Sequence, residues 1–262
     1  MESKEIQQTL ELAIRLAREA GQIQRERYET DFEVRSKSTA IDLVTEIDTL
    51  CEELIVDAIE RERPGDAIVA EEGSGTDSAD AEWRWIIDPL DGTTNYAHGY
   101  PRFCVSIGVE RQDERVVGVV YDPLLDELYR ATKGGGAFLG ERRLAVSRES
   151  RLDHALAATG FPYDAKRSPA DNLANFARMA RATRAIRRDG SAALDLCYVA
   201  AGRLDAFWEF KLRAWDVAAG LLLIDEAGGR TTDRQGDPPP RDGREVVASN
   251  GLLHREILAL LS

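Results

Sequence analysis

Acidic residues stand where apolar segments of this 262-residue chain run out. Glu71 and Glu72 close the run AIVAEE (67–72), Asp88 and Asp91 lie three apart in WIIDPLDGTTNY (85–96), and Asp216 follows Trp215. Carboxylate and carbonyl oxygens are the ligands that hard divalent cations such as Mg²⁺ take. The strand is expected to break at Asp88-Pro89, and a bend there would aim Asp88, Asp91 and the Leu90 carbonyl into one pocket. Gly92 permits close backbone approach, and Thr93-Thr94 would open a helical turn whose first N–H groups can bind phosphate oxygens without a lysine. Carboxylates for metal beside amides for phosphate are what a metal-assisted phosphate hydrolase requires. A pair of cations about 4 Å apart can activate water on one side of phosphorus and stabilise the leaving oxygen on the other.

Taken singly, each feature has an ordinary explanation. Asp216 can cap the helix that follows it, and Asp48 can serve a helix N-terminus electrostatically. Glu71-Glu72 reads as a solvated loop pair, His98 as a satisfied polar residue, and Gly134-Gly135-Gly136 as a turn. The decision rests on how the elements bring these residues together.

Residues 5–29 place Ile6, Leu10, Ala13, Ile14, Ala17 and Gly21 on one helical stripe. A second helix is expected from about Thr45, burying Leu50, Leu54, Ile55 and Ile59, with Thr45 and Asp48 spaced as a capping pair. From Phe103 to Leu144 the pattern turns to hairpin-connected strands, FCVSIGVE, RVVGVVY and ELYRA. After Ser150 strands (ALAATG, TRAIRR, LDAFWEF, EVVAS) alternate with helices at 171–181, 191–202, 216–227 and 252–261. DRQGDPPPRDG (233–243) reads as a surface loop. The fold class is α/β, or α+β, with layered helices and sheets. Two tightly packed subdomains are expected, 1–148 carrying most of the acids and 149–262 carrying Glu209 and Asp216.

A net charge of −13 argues against direct nucleic-acid binding, which needs clustered Lys and Arg, and against anionic membrane surfaces. No apolar run reaches the ~18 residues of a membrane span, and the N-terminal segment lacks the apolar core of a secretory signal, so the cytoplasm is the expected compartment. Cys51, Cys104 and Cys197 are far apart without metal-ligand spacing and read as buried thiols in a reducing compartment. Three scattered histidines make no zinc site.

Together the segments resemble one family. WIIDPLDGTTNYAHGYP (85–101) and WDVAAGLLLIDEAGG (215–229) are similar to the two hallmark segments of the inositol monophosphatase family. DLVTEID (42–48), AEEG (70–73) and DGSAALDLCYVAAGRLDAFWE (189–209) match in order and spacing, so the resemblance covers essentially the whole chain. The wording is nearest the bacterial branch. The resemblance implies a layered αβαβα sandwich of the inositol monophosphatase and sugar phosphatase type. It also implies an Mg²⁺-dependent, lithium-sensitive phosphomonoesterase with two or three ions per site. Glu71, Asp88 and the Leu90 carbonyl would hold the activating ion. Asp88, Asp91 and Asp216 would hold a second near the leaving oxygen and substrate, and a third, weaker ion would sit by Glu71. Thr93 with Asp48 would orient or deprotonate the attacking water, beside Glu71, and the Gly92 and Thr93 amides would grip the phosphate. Asp91, the backbone of Gly190, Ser191 and Ala192, and Glu209 would line the alcohol side. Lys37 falls where the family has a lysine on a flap, with a solvent-exposed loop lysine as the alternative, and Glu72 would support its neighbour without coordinating. A homodimer is the family's common state.

Three readings follow. The first is hydrolysis of myo-inositol 1-phosphate and related monoesters. The second is a broader sugar-phosphate or fructose 1,6-bisphosphate phosphatase, with Lys211 and Arg213 in EFKLRAW (209–215) meeting a more anionic substrate. The third is a regulatory protein-binding role in transcription, as in some bacterial relatives. The absence of a lysine after Thr93 speaks for inositol phosphate over the nucleotide-bisphosphate and histidinol-phosphate relatives.

Overall fold

The computed structural model describes residues 2–37, 42–76, 78 and 81–261. Helix α1 (Glu2–Arg27) buries Leu10, Ala13 and Ala17 of the stripe the sequence predicts, together with Leu16 and Ala20, which the stripe did not include, and packs Ile6 and Ile14 at its edge. A short antiparallel pair of strands, β1 (Val34–Ser36) and β2 (Leu43–Thr45), precedes α2 (Glu46–Glu62). Thr45 caps that helix in a capping box with Asp48, as its spacing indicates. Leu50 is the exception to the expected apolar face: it is 41% exposed, while Ile55 and Ile59 are fully buried. The helix turns its core face through Ile47, Cys51, Ile55 and Ile59, which leaves position 50 outside.

A seven-stranded sheet follows, in the order β3 (Ala67–Ala70), β4 (Trp83–Asp91), β5 (Cys104–Arg111), β6 (Glu114–Asp122), β7 (Glu127–Thr132), β8 (Gly136–Leu139), β9 (Arg142–Arg143). β3 and β4 are parallel and every other pair is antiparallel. Between β4 and β5 lies the one-turn helix α3 (Thr93–Ala97). The second half contributes β10 (Leu156–Thr159), α4 (Leu173–Ala182), β11 (Ala185–Arg187), α5 (Ala192–Ala200), β12 (Ala206–Phe210), α6 (Ala214–Glu226), β13 (Arg230–Thr232), β14 (Glu245–Ser249) and α7 (His254–Leu261). Its strands form a second sheet in the order β11-β10-β12-β14-β13.

The layers stack as α1 and α2, the seven-stranded sheet, α5 and α6, the five-stranded sheet, then α4 and α7. Three apolar clusters glue the four contacts between layers, the central one holding α5 and α6 between both sheets. This is the αβαβα sandwich expected from the sequence. α6 lies close against β5 because Gly108 faces it: a Cβ there would come within 2.7 Å of the Ala218 Cβ.

One expectation about the strand carrying the acids needs correcting. β4 does not break at Asp88-Pro89 but continues to Asp91, and its pairing with β5 slips there. Asp88 pairs with Ser106 and Asp91 with Cys104, so three steps on β4 oppose two on β5. In a regular strand residues three apart point to opposite faces; a bulge of one residue resets that alternation. Pro89 is tolerated because it falls inside the bulge, where no ladder N–H is needed.

Candidate active site

The acids collect at the carboxyl ends of β3 and β4, where α2, α3, α5 and α6 begin. The Asp48 side chain, fully buried in the first turn of α2, takes hydrogen bonds at Oδ2 from the Thr45 backbone N–H (2.8 Å) and hydroxyl (2.6 Å). Its other oxygen, Oδ1, lies 2.9 Å from the Thr93 hydroxyl, which is also 3.1 Å from the Leu90 carbonyl. The charged acceptor is the stronger of the two, so the proton is directed at Asp48. Burial, reinforced by the charge of Glu71, lifts the Asp48 carboxyl to about 6 even though the bonds from Thr45 and Thr93 oppose the rise.

Gly92 makes the turn between strand and helix. Its φ of +98° lies in the left-handed region, and a Cβ would come within 2.7 Å of the Arg102 carbonyl oxygen. Asp88, in the bulge, accepts the Leu90 N–H at 3.0 Å. Asp91 Oδ2 accepts from the Ser191 hydroxyl at 2.6 Å and the Ala193 N–H at 2.7 Å, binding β4 to the start of α5. Gly190, at φ +82°, lets the chain turn into that helix, where Ser191 is the cap. Asp216, half-buried in the first turn of α6, accepts the Arg213 N–H at 2.6 Å, so the capping role considered for it is real.

Electrostatics tie these groups together. Asp88 is held well above the ordinary carboxyl range first by burial, then by Glu71, Asp91 and Asp216, and Asp216 likewise first by burial, then by Glu71 and Asp91, against its bond from Arg213. Asp91 is pushed up to about 6 by burial, against its bonds to Ser191 and Ala193. Glu209, at the end of β12, is lifted to about 8 by burial, with Arg188 opposing and Asp91 adding.

Lys37 is exposed, as its loop alternative expects, and its ammonium reaches two acids of the site. Its ammonium sits 2.8 Å from Glu71 Oε1 and 2.5 Å from Glu72 Oε1. Burial alone would lower the Lys37 ammonium, but the two carboxylates raise it. Glu72 is itself pushed up to about 7, chiefly by burial.

One functional neighbour escaped the sequence reading. Glu52, fully buried on α2, accepts the Glu72 N–H at 2.7 Å and the Ser74 N–H at 2.8 Å, so it holds the turn that presents Glu71. The signal was available: Glu52 lies four residues after Asp48, hence on the same helix face.

The donor set fits a hard divalent cation. Four carboxylates and a carbonyl offer only oxygen, and a cation would offset the charge of Asp88, Asp91 and Asp216, which burial first and neighbouring acids second make costly to ionise. Among the described residues no three such side chains already close into a ligand cage. Glu71 is turned to Lys37, Asp91 to Ser191 and Ala193, and Asp216 to Arg213. Cys51, Cys104 and Cys197 are free and buried, as expected. No helix among the described residues is long and apolar enough to cross a membrane.

Comparison with known proteins identifies the family. The model of the "Inositol monophosphatase family" matches residues 5–262. An "Inositol-1-monophosphatase" of Mesorhizobium japonicum is 41% identical over 253 residues, covering 97% of this chain and 92% of its own length. A "Nus factor SuhB" of Pseudomonas aeruginosa is 43% identical, covering 98% of this chain and 96% of its own. The solved structure of the inositol monophosphatase from Anabaena superposes with a TM-score of 0.89 at 40% identity, over 98% of this chain and 96% of that one. With the same layers, and a family model that spans nearly every residue, the chain belongs to the inositol monophosphatase family, a generally metal-dependent family of phosphatases.

Proposed function

We propose that this protein is a magnesium-dependent phosphomonoesterase that hydrolyses myo-inositol 1-phosphate and related inositol monophosphates. The observation that carries the reading is the Asp48–Thr93 hydrogen bond beside the crowded acids of β3, β4 and α6. When bound, Mg²⁺ supplies the positive charge that makes water acidic and offsets the developing charge on the phosphate and leaving oxygens. Glu71, Asp88 and the Leu90 carbonyl would hold one ion, Asp88, Asp91 and Asp216 a second, and Glu71 a third.

The protein's own groups do the rest. The Thr93 hydroxyl donates to Asp48 and turns its lone pairs toward the attacking water. It passes a water proton on to Asp48, whose carboxyl is poised near neutrality. The new bond joins water oxygen to phosphorus, the ester P–O bond breaks, and the alcohol oxygen takes a proton from solvent. The Gly92 and Thr93 N–H groups would grip phosphate oxygens at the α3 turn. Asp91, the backbone of Gly190, Ser191 and Ala192, and Glu209 would face the alcohol. A Glu209 lifted to about 8 is protonated at neutral pH, so it can both donate to and accept from neighbouring ring hydroxyls.

The test is turnover of inositol 1-phosphate, fructose 1,6-bisphosphate, NADP, adenosine bisphosphate and histidinol phosphate, each with chelator and with Mg²⁺. Inositol 1-phosphate should give the highest kcat/KM, chelation should abolish turnover, and lithium should inhibit it. Asp88→Asn should lose orders of magnitude of activity with the fold retained. Full-rate hydrolysis in chelator, or near-normal turnover by Asp88→Asn, would sink the reading. The bisphosphate alternative is weakened because Lys211 is engaged by Asp164 and Ser168. A regulatory role with a protein partner is favoured by relatives named Nus factor SuhB. The charge of −13 points such contact toward protein rather than RNA, which a pull-down with and without nuclease would check. We take the working form to be a cytoplasmic homodimer, for which light scattering should give twice the 29.0 kDa of one chain.

A further inference from the structure

Helix α1 buries a glutamine near its C-terminal end. Gln24 is fully inaccessible, a position that is costly for an amide unless its hydrogen bonds are made. Its Nε2 donates to the Pro89 carbonyl at 2.7 Å, 65 residues along the chain. Its Oε1 is buried without a hydrogen-bond partner among the described residues. The orientation is forced, since a flipped amide would set Oε1 against the Pro89 oxygen. Packing alone gives no reason for an amide here; the bond to Pro89 does.

That carbonyl lies in the bulge of β4. Pro89 and Leu90 pair with neither β3 nor β5, so the sheet offers the buried Pro89 oxygen no partner. The peptide unit joining the two residues is planar and trans, which puts its C=O and N–H on opposite edges. Gln24 holds the C=O edge, and Asp88 Oδ1 accepts the other, the Leu90 N–H, at 3.0 Å. Two hydrogen bonds thus run from α1 through one peptide plane to the carboxylate of Asp88. The Leu90 carbonyl takes the Thr93 hydroxyl at 3.1 Å, so each polar backbone group of Pro89 and Leu90 is met by a side chain. Helix α1 is itself fastened at this point. The Gln24 backbone carbonyl accepts the Tyr96 hydroxyl from α3 at 2.8 Å, and Tyr28, just past the helix end, donates its hydroxyl to the Gly99 carbonyl. Gln24 therefore reaches the bulge from a fixed backbone.

We propose that Gln24 is a positioning residue: by holding the Pro89–Leu90 peptide it sets the direction in which Asp88 and the Leu90 carbonyl face the cation. The proposal rests on the metal dependence given above. Gln24 touches neither substrate nor reacting atoms and acts only through the peptide. Without its amide the Pro89 oxygen is orphaned, the plane can swing toward another donor, and the Leu90 N–H leaves Asp88 with it.

The test compares wild type with Gln24→Met, which keeps the apolar stem and removes the donor. Leu16→Val is the control: it trims the fully buried face of the same helix about two turns earlier. In chelator the Leu90 amide should be protected from hydrogen exchange in wild type and in Leu16→Val, and should exchange at least about tenfold faster in Gln24→Met. Calorimetric titration should show Mg²⁺ affinity about tenfold weaker in Gln24→Met and unchanged in Leu16→Val, although both variants lower Tm. At saturating Mg²⁺ the kcat of Gln24→Met should stay within a few-fold of wild type. A Leu90 amide that exchanges freely in wild type would overturn the clamp, whether or not the variant folds. So would Gln24→Met with wild-type exchange at Leu90 or wild-type Mg²⁺ affinity, and so would an equal loss of affinity in Leu16→Val. A wild type that binds no Mg²⁺ would instead overturn the metal reading, with exchange at Leu90 still deciding whether Gln24 holds the peptide.

Discussion

Replacing Glu52 by glutamine tests whether a residue that touches no substrate controls the cation site. The Glu52 carboxylate receives two backbone N–H groups, from Glu72 at 2.7 Å and Ser74 at 2.8 Å, inside a fully buried side chain. Hydrogen bonds to a charged group contribute about 1.5–3 kcal/mol each. Glutamine keeps one acceptor and turns an NH₂ toward the other N–H, so one bond is lost and a donor is left facing a donor. The expected cost is roughly 2–4 kcal/mol, which for a chain of this length lowers Tm by about 4–16 °C. The consequence for function comes through Glu71, adjacent to the tethered residue and anchored on its other side by its N–H on the Ile87 carbonyl at 3.2 Å. If as little as about 1.4 kcal/mol of the loss falls on the cation-loaded state, the half-saturating Mg²⁺ concentration rises tenfold. Thermal melts in chelator and calorimetric Mg²⁺ titrations measure the two parts, and kcat at saturating Mg²⁺ should stay within a few-fold of wild type. A variant with unchanged Tm and unchanged Mg²⁺ affinity would refute the reasoning. It would mean that the turn after β3 is held by something other than this carboxylate.

Two further outcomes are expected. Gly92→Ala should lose about 1–2 kcal/mol from the left-handed backbone alone, and more from the Cβ pressed against the Arg102 carbonyl. Because the turn aims Thr93 at Asp48, activity should fall by at least about tenfold, measured beside a urea unfolding curve. His254 is buried between Ser249 and Thr232, both at 2.9 Å, and is lowered to about 4 by burial and by Arg230. The unfolded chain takes up that proton first, near 6.5, so this residue lowers stability as pH falls from about 6.5 toward 4 and is without effect above. The loss attributable to it reaches roughly 3 kcal/mol at most. Urea midpoints of wild type and His254→Gln at pH 7 and 4.5 should converge in their pH dependence by about that amount, and parallel behaviour would count against it.

The local elements were legible because their causes are local. The α1 stripe, the Thr45–Asp48 capping pair, the helical turn at Thr93 and the strands from Phe103 to Leu144 follow from side-chain period and turn chemistry within a few residues. So did the identity of the acids, since spacing and residue type are written in the chain. Strands β1, β2 and β13 were not foreseen, because three-residue strands carry too little periodicity to read.

What distant segments do to one another was decided only by the tertiary structure. Asp88 and Asp91 share a region because β4 gains a residue against β5, a property of the pair and not of either strand. Leu50 is outside because α1 and the sheet choose which face of α2 to cover. Lys211 looked available to a second phosphate, yet Asp164, 47 residues earlier, holds it. Glu52 acquires meaning only when the turn after β3, some twenty residues along the chain, folds against it. Sequence determines which groups can do chemistry, while packing, through contacts whose partners are separated by tens of residues, decides which of them face the same few ångströms of space.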